Sequence, residues 1–437
     1  MNYFFIPEKK EIDSKAERII YFAVLLYIVS LFSHYIPVVT NITMGIIFIS
    51  CFFLIREGIK SALKRNKVLL GIIFFYLVQL LSIFYSTNKK DGFHLLSDTV
   101  PFFLIPVSFL FIEFKNITWN RILHFFAAVT TIASIVGFSA GAYTAYTKHD
   151  TGYLYNDNIC FVMGKQAVYF AFYVSVAIII YVYQLVNSVH KAPAGIIYLA
   201  ILWLFVIIFL LASRTAMFSL LLILSIYSGN ILIQRKKYME ISIFFFSLII
   251  GSVILVKLFP KTLNRFKGTT EMNYQFDNKN TENHFNADFD KNKWNSSNTR
   301  AAIWTCAMEV WKEHPVWGTG IGDKKDELQK KYEEKNFWFA INTNKSTHNQ
   351  YLDVLISMGI IGLLIFVICY FIFPLWIFFK QKQSFAIMLF LLLALCLITE
   401  NMFSRYQGIV LLALILPLAT KIVAPTVQKT EEPENII

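Results

Sequence analysis

Charged residues are scarce in this sequence, and the short motifs that mark many soluble enzymes are missing. Only 16% of the 437 residues are charged, whereas 56% are hydrophobic, which excludes an ordinary soluble globular domain. We find no phosphate-binding glycine loop, no nucleophile elbow and no zinc-protease motif. The five cysteines form no disulfide framework; a bond between Cys160 and Cys306 stays open, although their spacing does not support it.

Long apolar runs take the place of these features. A membrane-spanning helix needs about 20 mostly apolar residues, because only a helix satisfies its own backbone within hydrocarbon. We therefore predict an all-α integral membrane protein with about 12 transmembrane helices. The windows, of which the second and fourth are short, are 19–36, 42–55, 68–85, 100–113, 122–140, 167–186, 196–212, 216–233, 239–257, 350–373, 385–399 and 408–423.

One hydrophilic insert divides these runs. Helices 1–9 are predicted within residues 1–257, a large outer loop at 258–348, helices 10–12 within 349–424 and a tail at 425–437. Lysine and arginine set the orientation, because cytoplasmic loops attract them. Both termini are predicted inside, and the net charge of +12 then reflects topology rather than nucleic-acid binding. The inner basic loops are at 56–67, 115–121, 190–191, 235–237 and 380–382.

The large loop has two halves. Its first half, 269–298, is rich in Asn, Asp, Lys and Thr and is predicted to be a mobile surface loop. Its second half predicts a helix at 299–314, capped by Asn298 or Thr299 and stopped by Pro315. Arg300 and Trp304 share one face of this helix, which we expect to lie on the membrane surface with its tryptophans among the headgroups.

Two arginines are candidate anion ligands. Arg214 lies between two apolar spans, where burying a guanidinium costs free energy. An arginine at such a position either reaches the lipid headgroups or is retained for a function. It could bind a diphosphate in a bidentate manner, with Ser213 and Thr215 as hydroxyl donors. Arg300 opens the predicted surface helix, where an anion would suit the free N–H groups. The alternative for Arg300 is an ion pair with an acid of the insert.

A histidine is the candidate base. His348 precedes the tenth predicted span, after Ser346 and Thr347, which can cap that helix. A helix N-terminus disfavours imidazolium, so a neutral His348 could accept a proton from an attacking hydroxyl. A purely structural role is the alternative. Asn349 could fix the tautomer of the imidazole or bind sugar.

Weaker candidates lie elsewhere on the outer side. Lys148, Lys165, Glu400 and Arg405 could line an anionic or sugar site. No metal site is predicted, because the histidines lack zinc-ligand spacing and the acids of the insert lack the calcium-loop pattern.

Taken in order, several motifs resemble the O-antigen ligase and polymerase family of bacterial envelope assembly. They are Ser213-Arg-Thr-Ala216, Arg300-Ala-Ala-Ile-Trp304, Pro315-Val-Trp-Gly-Thr-Gly-Ile-Gly322, Ser346-Thr-His-Asn-Gln-Tyr-Leu352 and Ser357-Met-Gly-Ile-Ile-Gly362. The resemblance implies a fold similar to the class C glycosyltransferases. It also implies a periplasmic active site in the bacterial inner membrane, which moves a glycan from undecaprenyl diphosphate to a sugar hydroxyl without metal or cofactor.

The resemblance also implies roles for particular residues. Arg214 and Arg300 would hold the diphosphate, and His348 would be the general base of an inverting displacement. The substrate-binding set that we expect around them is Ser213, Thr215, Trp304, Asn349, Lys165 and Arg405. In the ligases the acceptor is lipid A–core, a glycolipid; in the polymerases it is a growing lipid-linked glycan.

Three classes of function remain open from the sequence, namely a glycosyltransferase, a transporter and a membrane scaffold or sensor. A ligase is favoured, and a polymerase of the same family is the closest alternative. A transporter or flippase for a lipid-linked or anionic solute predicts charges at mid-membrane depth and repeat symmetry, neither of which is clear. A membrane scaffold or sensor would leave His348 unexplained.

Overall fold

The protein is helical throughout the part that the structure describes. The computed structural model describes residues 12, 14–33, 36–55, 58–190, 192–234, 272–283, 290 and 292–423, with isolated positions between 239 and 257. The predicted basic loop 235–237, most of the ninth apolar window, the start of the insert at 258–271 and the tail at 425–437 lie outside these residues. In chain order the helices are α1 Lys15–Ser30, α2 Pro37–Cys51, α3 Ile59–Arg65, α4 Lys67–Ser82, α5 Lys89–Asp98, α6 Pro101–Phe111, α7 Asn116–Lys148, α8 Asp157–Cys160, α9 Ala167–Val186, α10 Ala194–Leu210, α11 Arg214–Gln234, α12 Ser296–Glu313, α13 Lys324–Glu334, α14 Trp338–Asn342, α15 Gln350–Val367, α16 Phe373–Lys380, α17 Ser384–Cys396 and α18 Tyr406–Thr420.

Seven of the described helices are long and apolar enough to cross a membrane. Three further apolar helices, α10, α17 and α18, are shorter, and α1 has 16 residues. An integral membrane protein is therefore confirmed, whereas twelve spans stay a prediction. The seven are Pro37–Leu54, Lys67–Tyr85, Lys89–Phe111, Asn116–Lys148, Ala167–Val186, Arg214–Ile231 and Gln350–Gln381.

Helix α9 lies at the centre of the main core. Its apolar window is 83% buried inside the protein, more than that of any other of the seven helices. Helices α7, α10, α11 and α17 pack against it. A helix that is apolar on every side needs such an enclosed position, and this is why the window predicted at 167–186 and the observed helix coincide.

Charged groups gather at two separate ends of the bundle. At one end, Lys421 donates to Asn66 Oδ1 at 2.9 Å, and Arg65 pairs with Glu113. Helix α18 joins this end to the other, since it begins beside Arg405 and ends just before Lys421. The described part of the basic stretch predicted at 56–67 and the stretch predicted at 115–121 border the first end, whereas the candidate site residues border the second.

Helix α12, which was predicted to lie on the membrane surface, packs against other helices of the protein in a second, smaller core. It contacts α13 and α15. It begins at Ser296, earlier than predicted, because Asn295 and Asn298 form a reciprocal capping box. The predicted cap at Asn298 or Thr299 is therefore wrong, and Arg300 lies one turn inside the helix. The buried face comprises Ala302, Ile303, Cys306, Ala307 and Val310.

The polar first half of the insert is anchored by aromatic side chains. Trp294 is fully buried and stacks on Phe339, with ring centroids 5.4 Å apart. Its indole N–H donates to the carbonyl of Asn278 at 3.0 Å. Tyr274 and Phe276 pack against the same small core. Three aromatic side chains therefore attach the loop predicted at 269–298 to the small core, although most of its residues in 272–283 are exposed. Its mobility stays a prediction, and residues 296–298 belong to α12 instead of the loop.

The turn at 315–320 interlocks with a kink in α15. Gly359 has φ 63° and ψ −166° inside this helix, a region that only glycine populates readily. The kink frees the carbonyls of Ile356 and Ser357, which accept from the amides of Thr319 and Gly320 at 2.9 and 2.8 Å. Two motifs of the resemblance, far apart in sequence, are therefore parts of one backbone junction.

We predict that Gly359→Ala destabilises the protein through this junction. A Cβ at Gly359 would lie 2.1 Å from the Val316 carbonyl oxygen, and both the backbone strain and the overpacking cost about 1–3 kcal/mol each. Thermal unfolding in detergent measures the effect. Gly45→Ala is the matched control, because nothing lies within 4 Å of its Cβ position. Equal melting temperatures for the two variants would contradict the prediction.

The described cysteines do not pair. All five are free and buried. Cys160 lies in the main core and Cys306 in the small core of α12, so each is packed among different neighbours. The disulfide left open by the sequence is absent from the structure.

Candidate active site

Glu400 joins the two main catalytic candidates. Its Oε1 accepts from Arg300 Nη2 at 2.9 Å, and its Oε2 lies 3.6 Å from His348 Nδ1. The side chains of Arg300, His348 and Glu400 are 20%, 26% and 11% exposed. They are therefore sheltered from bulk water but still open to a ligand. The sequence placed Glu400 only among weaker candidates, yet it is the contact that brings Arg300 and His348 together.

Arg214 is connected to Arg300 because both side chains donate hydrogen bonds to Ser296. Its Nη2 donates to Ser296 Oγ at 2.5 Å, and Arg300 Nη1 donates to the Ser296 carbonyl at 3.1 Å. Two guanidinium groups thus contact one residue at the start of α12. We call Arg214, Arg300, His348 and Glu400 the arginine–histidine cluster. Within it, Arg300 and His348 contact the carboxylate of Glu400, and Arg214 is connected to Arg300 through Ser296.

Thr215 and Ser213 support the start of α11 beside the cluster. The Thr399 hydroxyl donates to Thr215 Oγ1 at 2.8 Å, which ties α11 to the residue before Glu400. The Ser213 carbonyl accepts from the Met217 amide at 3.0 Å, and its side chain is buried. Ala212, just before it, has a left-handed φ of 50°. The chain therefore turns sharply where it presents Arg214 to the cluster.

His348 also has a left-handed backbone, with φ 46°. The helix that follows is capped by Asn349, whose Oδ1 accepts from the amides of Tyr351 and Leu352 at 2.9 and 3.1 Å. The predicted caps, Ser346 and Thr347, are wrong, because Asn349 is nearer the first turn. Non-glycine residues in this conformation concentrate at functional sites.

The electrostatics keep Glu400 ionised. Burial would raise the pKa of Glu400, but the neighbouring His348 imidazole and the Arg300 charge outweigh burial and lower its pKa below the ordinary value. Because the pKa of Glu400 is lower in the folded than in the unfolded protein, the ionised carboxylate stabilises the fold at every pH above the unfolded value. This stabilisation is lost as the pH falls through the folded pKa. The cluster consequently keeps its anion at neutral pH.

A buried polar layer, centred on Asp353, lies next to the cluster. Asp353 Oδ2 accepts from Lys324 Nζ at 2.5 Å and from Ser404 Oγ at 3.2 Å. Its Oδ1 accepts from Asn401 Nδ2 at 3.1 Å, and the same amide donates to Thr347 Oγ1 at 2.7 Å. Asp353 was not among the predicted site residues, although an acid in the first turn of an apolar span is itself a signal of function.

Trp304 positions the segment before the histidine. Its indole N–H donates to the Thr347 carbonyl at 3.0 Å, and its ring packs at the edge of the small core. This contact ties α12 to the residue that precedes His348. Its predicted part in substrate binding stays a prediction.

Lys165 and Arg405 lie apart from the cluster's direct contacts. Lys165 is buried, with its Nζ 3.4 Å from the Tyr173 hydroxyl and 4.6 Å from that ring's centroid. Burial lowers the pKa of Lys165 to about 8. Arg405 is exposed and precedes α18. Both remain candidate substrate contacts.

One grouping of metal-ligand type occurs in the described ranges, at the other end of α12. Glu313, His314 and Glu327 hold their ligand atoms within 4.8 Å of one another. Glu313 already pairs with Lys331 at 2.7 Å, and the helical rise puts it about 20 Å from Arg300. This grouping therefore has no part in the arginine–histidine cluster.

We predict that Glu400→Gln lowers kcat for glycan transfer by about 10²-fold or more, as when a histidine base loses its carboxylate partner. The amide keeps the size of the side chain but cannot stabilise an imidazolium that forms during proton transfer. Glu400→Asp retains the charge and is expected to recover part of the rate. Steady-state kinetics at equal membrane levels test this. A rate for Glu400→Gln equal to wild type would remove Glu400 from the mechanism.

Fold and site together define a polytopic membrane protein with a cationic polar cluster at one end of its helices. Residues 199–367 match the family model described as O-antigen ligase. The match confirms over that range the resemblance to the O-antigen ligase family, and it includes Arg214, Arg300 and His348. It supports a ligase-like or polymerase-like function with lipid-linked glycans as substrates. Glu400 lies outside the matched range. No curated protein matches the chain.

Proposed function

We propose that the protein is an O-antigen ligase-like glycosyltransferase that moves a glycan from a polyprenyl diphosphate to a sugar hydroxyl. The observation that carries the proposal is the contact of Arg300 and His348 with one carboxylate, Glu400, while Arg214 and Arg300 share Ser296. This arrangement offers an anion-binding pair and a base within a few side chains of each other. A transferase with a diphosphate leaving group needs both.

The reaction would proceed by a single displacement. Nδ1 of His348 faces Glu400, which leaves Nε2 to take the proton of the acceptor hydroxyl. The hydroxyl oxygen forms a bond to the anomeric carbon as the bond from that carbon to the diphosphate breaks. Arg214 and Arg300 stabilise the charge on the departing diphosphate, and the configuration at the anomeric carbon inverts. Arg300 would exchange part of its Glu400 contact for the diphosphate.

Deletion of the gene tests the proposal in the cell. For a ligase acting on lipid A–core, envelope glycans are expected to show core without attached polymer, while lipid-linked polymer accumulates. Single repeat units on the core would instead indicate a polymerase. Unchanged envelope glycans, with a solute transport defect, would favour the transporter and contradict the proposal.

We also propose that the cluster faces the periplasm and that both termini are cytoplasmic. The separation of the basic end from the cluster supports this orientation. Because the native cysteines are buried, a cysteine introduced as Asp290→Cys is expected to react with an impermeant maleimide from outside, whereas Lys60→Cys reacts only after lysis. Labelling of Asp290→Cys only after lysis would reverse the orientation.

A further inference from the structure

A cavity of about 440 Å³ opens beside the arginine–histidine cluster. Its walls come from α5, α13, the segment 344–347, the start of α15 and the loop before α18. The volume lies within the range of about 300–1,000 Å³ that small-molecule sites occupy. None of the four cluster residues lines it, so the residues of the cavity wall are different from those of the cluster.

The charges on the walls favour an anion. Lys324 is held by Asp353 and Lys345 by Glu282, at 2.5 and 3.4 Å. Lys325 and Arg405 are exposed, and in the described part of the chain no acid pairs with either. The charged lining residues are Lys324, Lys325, Lys345, Arg405, Asp91 and Asp353.

Asn401 supplies a second, independent indication of a ligand. Its side chain lines the cavity and the residue is 2% exposed. Both Thr347 and Asp353 accept from its Nδ2 at 2.7 and 3.1 Å, whereas its Oδ1 is buried without a partner. A buried acceptor without a donor is costly. A sugar hydroxyl is the kind of donor that would satisfy it.

Two residues of the cavity wall are the immediate sequence neighbours of two cluster residues. Thr347 lines the cavity and precedes His348; Asn401 lines the cavity and follows Glu400. A sugar bound in the cavity would therefore lie next to the proposed base.

We infer that this cavity binds the acceptor sugar and selects a glycan that carries a negative charge, such as a uronate, near the hydroxyl that is glycosylated. Lys325 and Arg405 contact the anionic group, and Asn401 Oδ1 accepts a hydrogen bond from a sugar hydroxyl. Arginine suits a carboxylate because its two N–H groups match the two oxygens. The inference rests on the proposed function, since it names the acceptor of the same reaction.

Two matched probes test the charge selection with the full-length protein in detergent. Methyl glucuronide and methyl glucoside differ only in a carboxylate in place of a hydroxymethyl group. Ligand-observed NMR is expected to give a dissociation constant about tenfold lower for the glucuronide, and the difference should shrink in high salt because exposed charges are screened. Equal binding of the two probes would overturn the inference.

Variants locate the effect. The double variant Lys325→Gln, Arg405→Gln is expected to lose the preference for glucuronide. Lys312→Gln, an exposed lysine of α12 outside the cavity lining, serves as the control and keeps the preference. Retention of the full preference in the double variant would place the anion elsewhere and overturn the inference.

Competition separates the acceptor from the donor. Undecaprenyl diphosphate carrying a neutral disaccharide should bind together with the glucuronide, and displacement of the glucuronide would assign the cavity to the donor glycan and overturn the inference. Probe binding requires no turnover. A protein that shows the charge preference but never transfers a glycan would contradict the proposed function alone, whereas transfer without the preference would contradict this inference alone.

Discussion

Replacing His348 with asparagine should lower kcat for glycan transfer by about 10²–10⁴-fold, the usual contribution of a general base. Asparagine is the sharpest substitution because it tolerates the left-handed backbone at φ 46°, whereas alanine would add strain. The amide cannot take the acceptor proton at neutral pH. Steady-state transfer assays, with protein levels measured in the membrane, give the result.

His149→Asn is the matched control for this prediction. His149 is exposed and also has a left-handed φ, 53°, so the same substitution meets a similar backbone without touching the cluster. Its transfer rate should equal wild type. Near-normal transfer by His348→Asn would show that no imidazole is needed and would refute the assignment of the base.

Arg300→Ala should lower kcat by about 10²–10³-fold, the effect of losing one stabilising donor at a developing charge. Arg300→Lys is also expected to be impaired, because a point charge cannot reproduce the two-pronged contact of a guanidinium with phosphate. The alanine variant also leaves Glu400 without its 2.9 Å partner. Membrane levels and kinetics are therefore measured side by side.

The outcome for Arg300→Lys separates two explanations. A strongly reduced rate supports bidentate contact with the diphosphate, while a wild-type rate would favour simple charge attraction. Arg18→Lys, an exposed arginine of α1, is the control and should leave transfer unchanged. If this control also lost activity, the effect of Arg300→Lys would say nothing specific about the cluster, and the bidentate assignment would fall.

The sequence predicted those features that a local pattern determines. Helix α9 follows directly from its uninterrupted apolar window. Arg214 and His348 were identified as polar residues at the edges of apolar spans, and Arg300 as the first residue of a predicted surface helix in the insert. The structure brings these three residues together, as the resemblance implied; their catalytic roles remain the proposals made above.

Long-range contacts explain why Glu400 was predicted only as one of the weaker candidates. Glu400 reaches the cluster because the loop before α18 is tied to the start of α15. Gln350 donates its amide to Leu397 O at 2.9 Å, and its Oε1 accepts from the Phe403 amide at 3.0 Å. Nothing in the sequence near Glu400 indicates these partners, since they lie about fifty residues away along the chain.

Helix starts were the least predictable local feature. Several Asn, Ser and Thr residues compete for each cap, and side-chain reach decides between them. At α12 the reciprocal pair of Asn295 and Asn298 wins, and at α15 Asn349 wins. The earlier start of α12 places Arg300 one turn inside the helix, where it pairs with Glu400.

The central claim is that the arginine–histidine cluster transfers a glycan from a polyprenyl diphosphate. The most direct measurement uses purified protein, an undecaprenyl diphosphate-linked glycan and a glycolipid acceptor, with a chelator present and no nucleotide sugar. Wild-type protein is predicted to form glycosylated acceptor and to release undecaprenyl diphosphate, and His348→Asn and Arg214→Ala are predicted to form almost none. Wild-type rates in both variants, or release of the carrier without glycosylated acceptor, would contradict the claim.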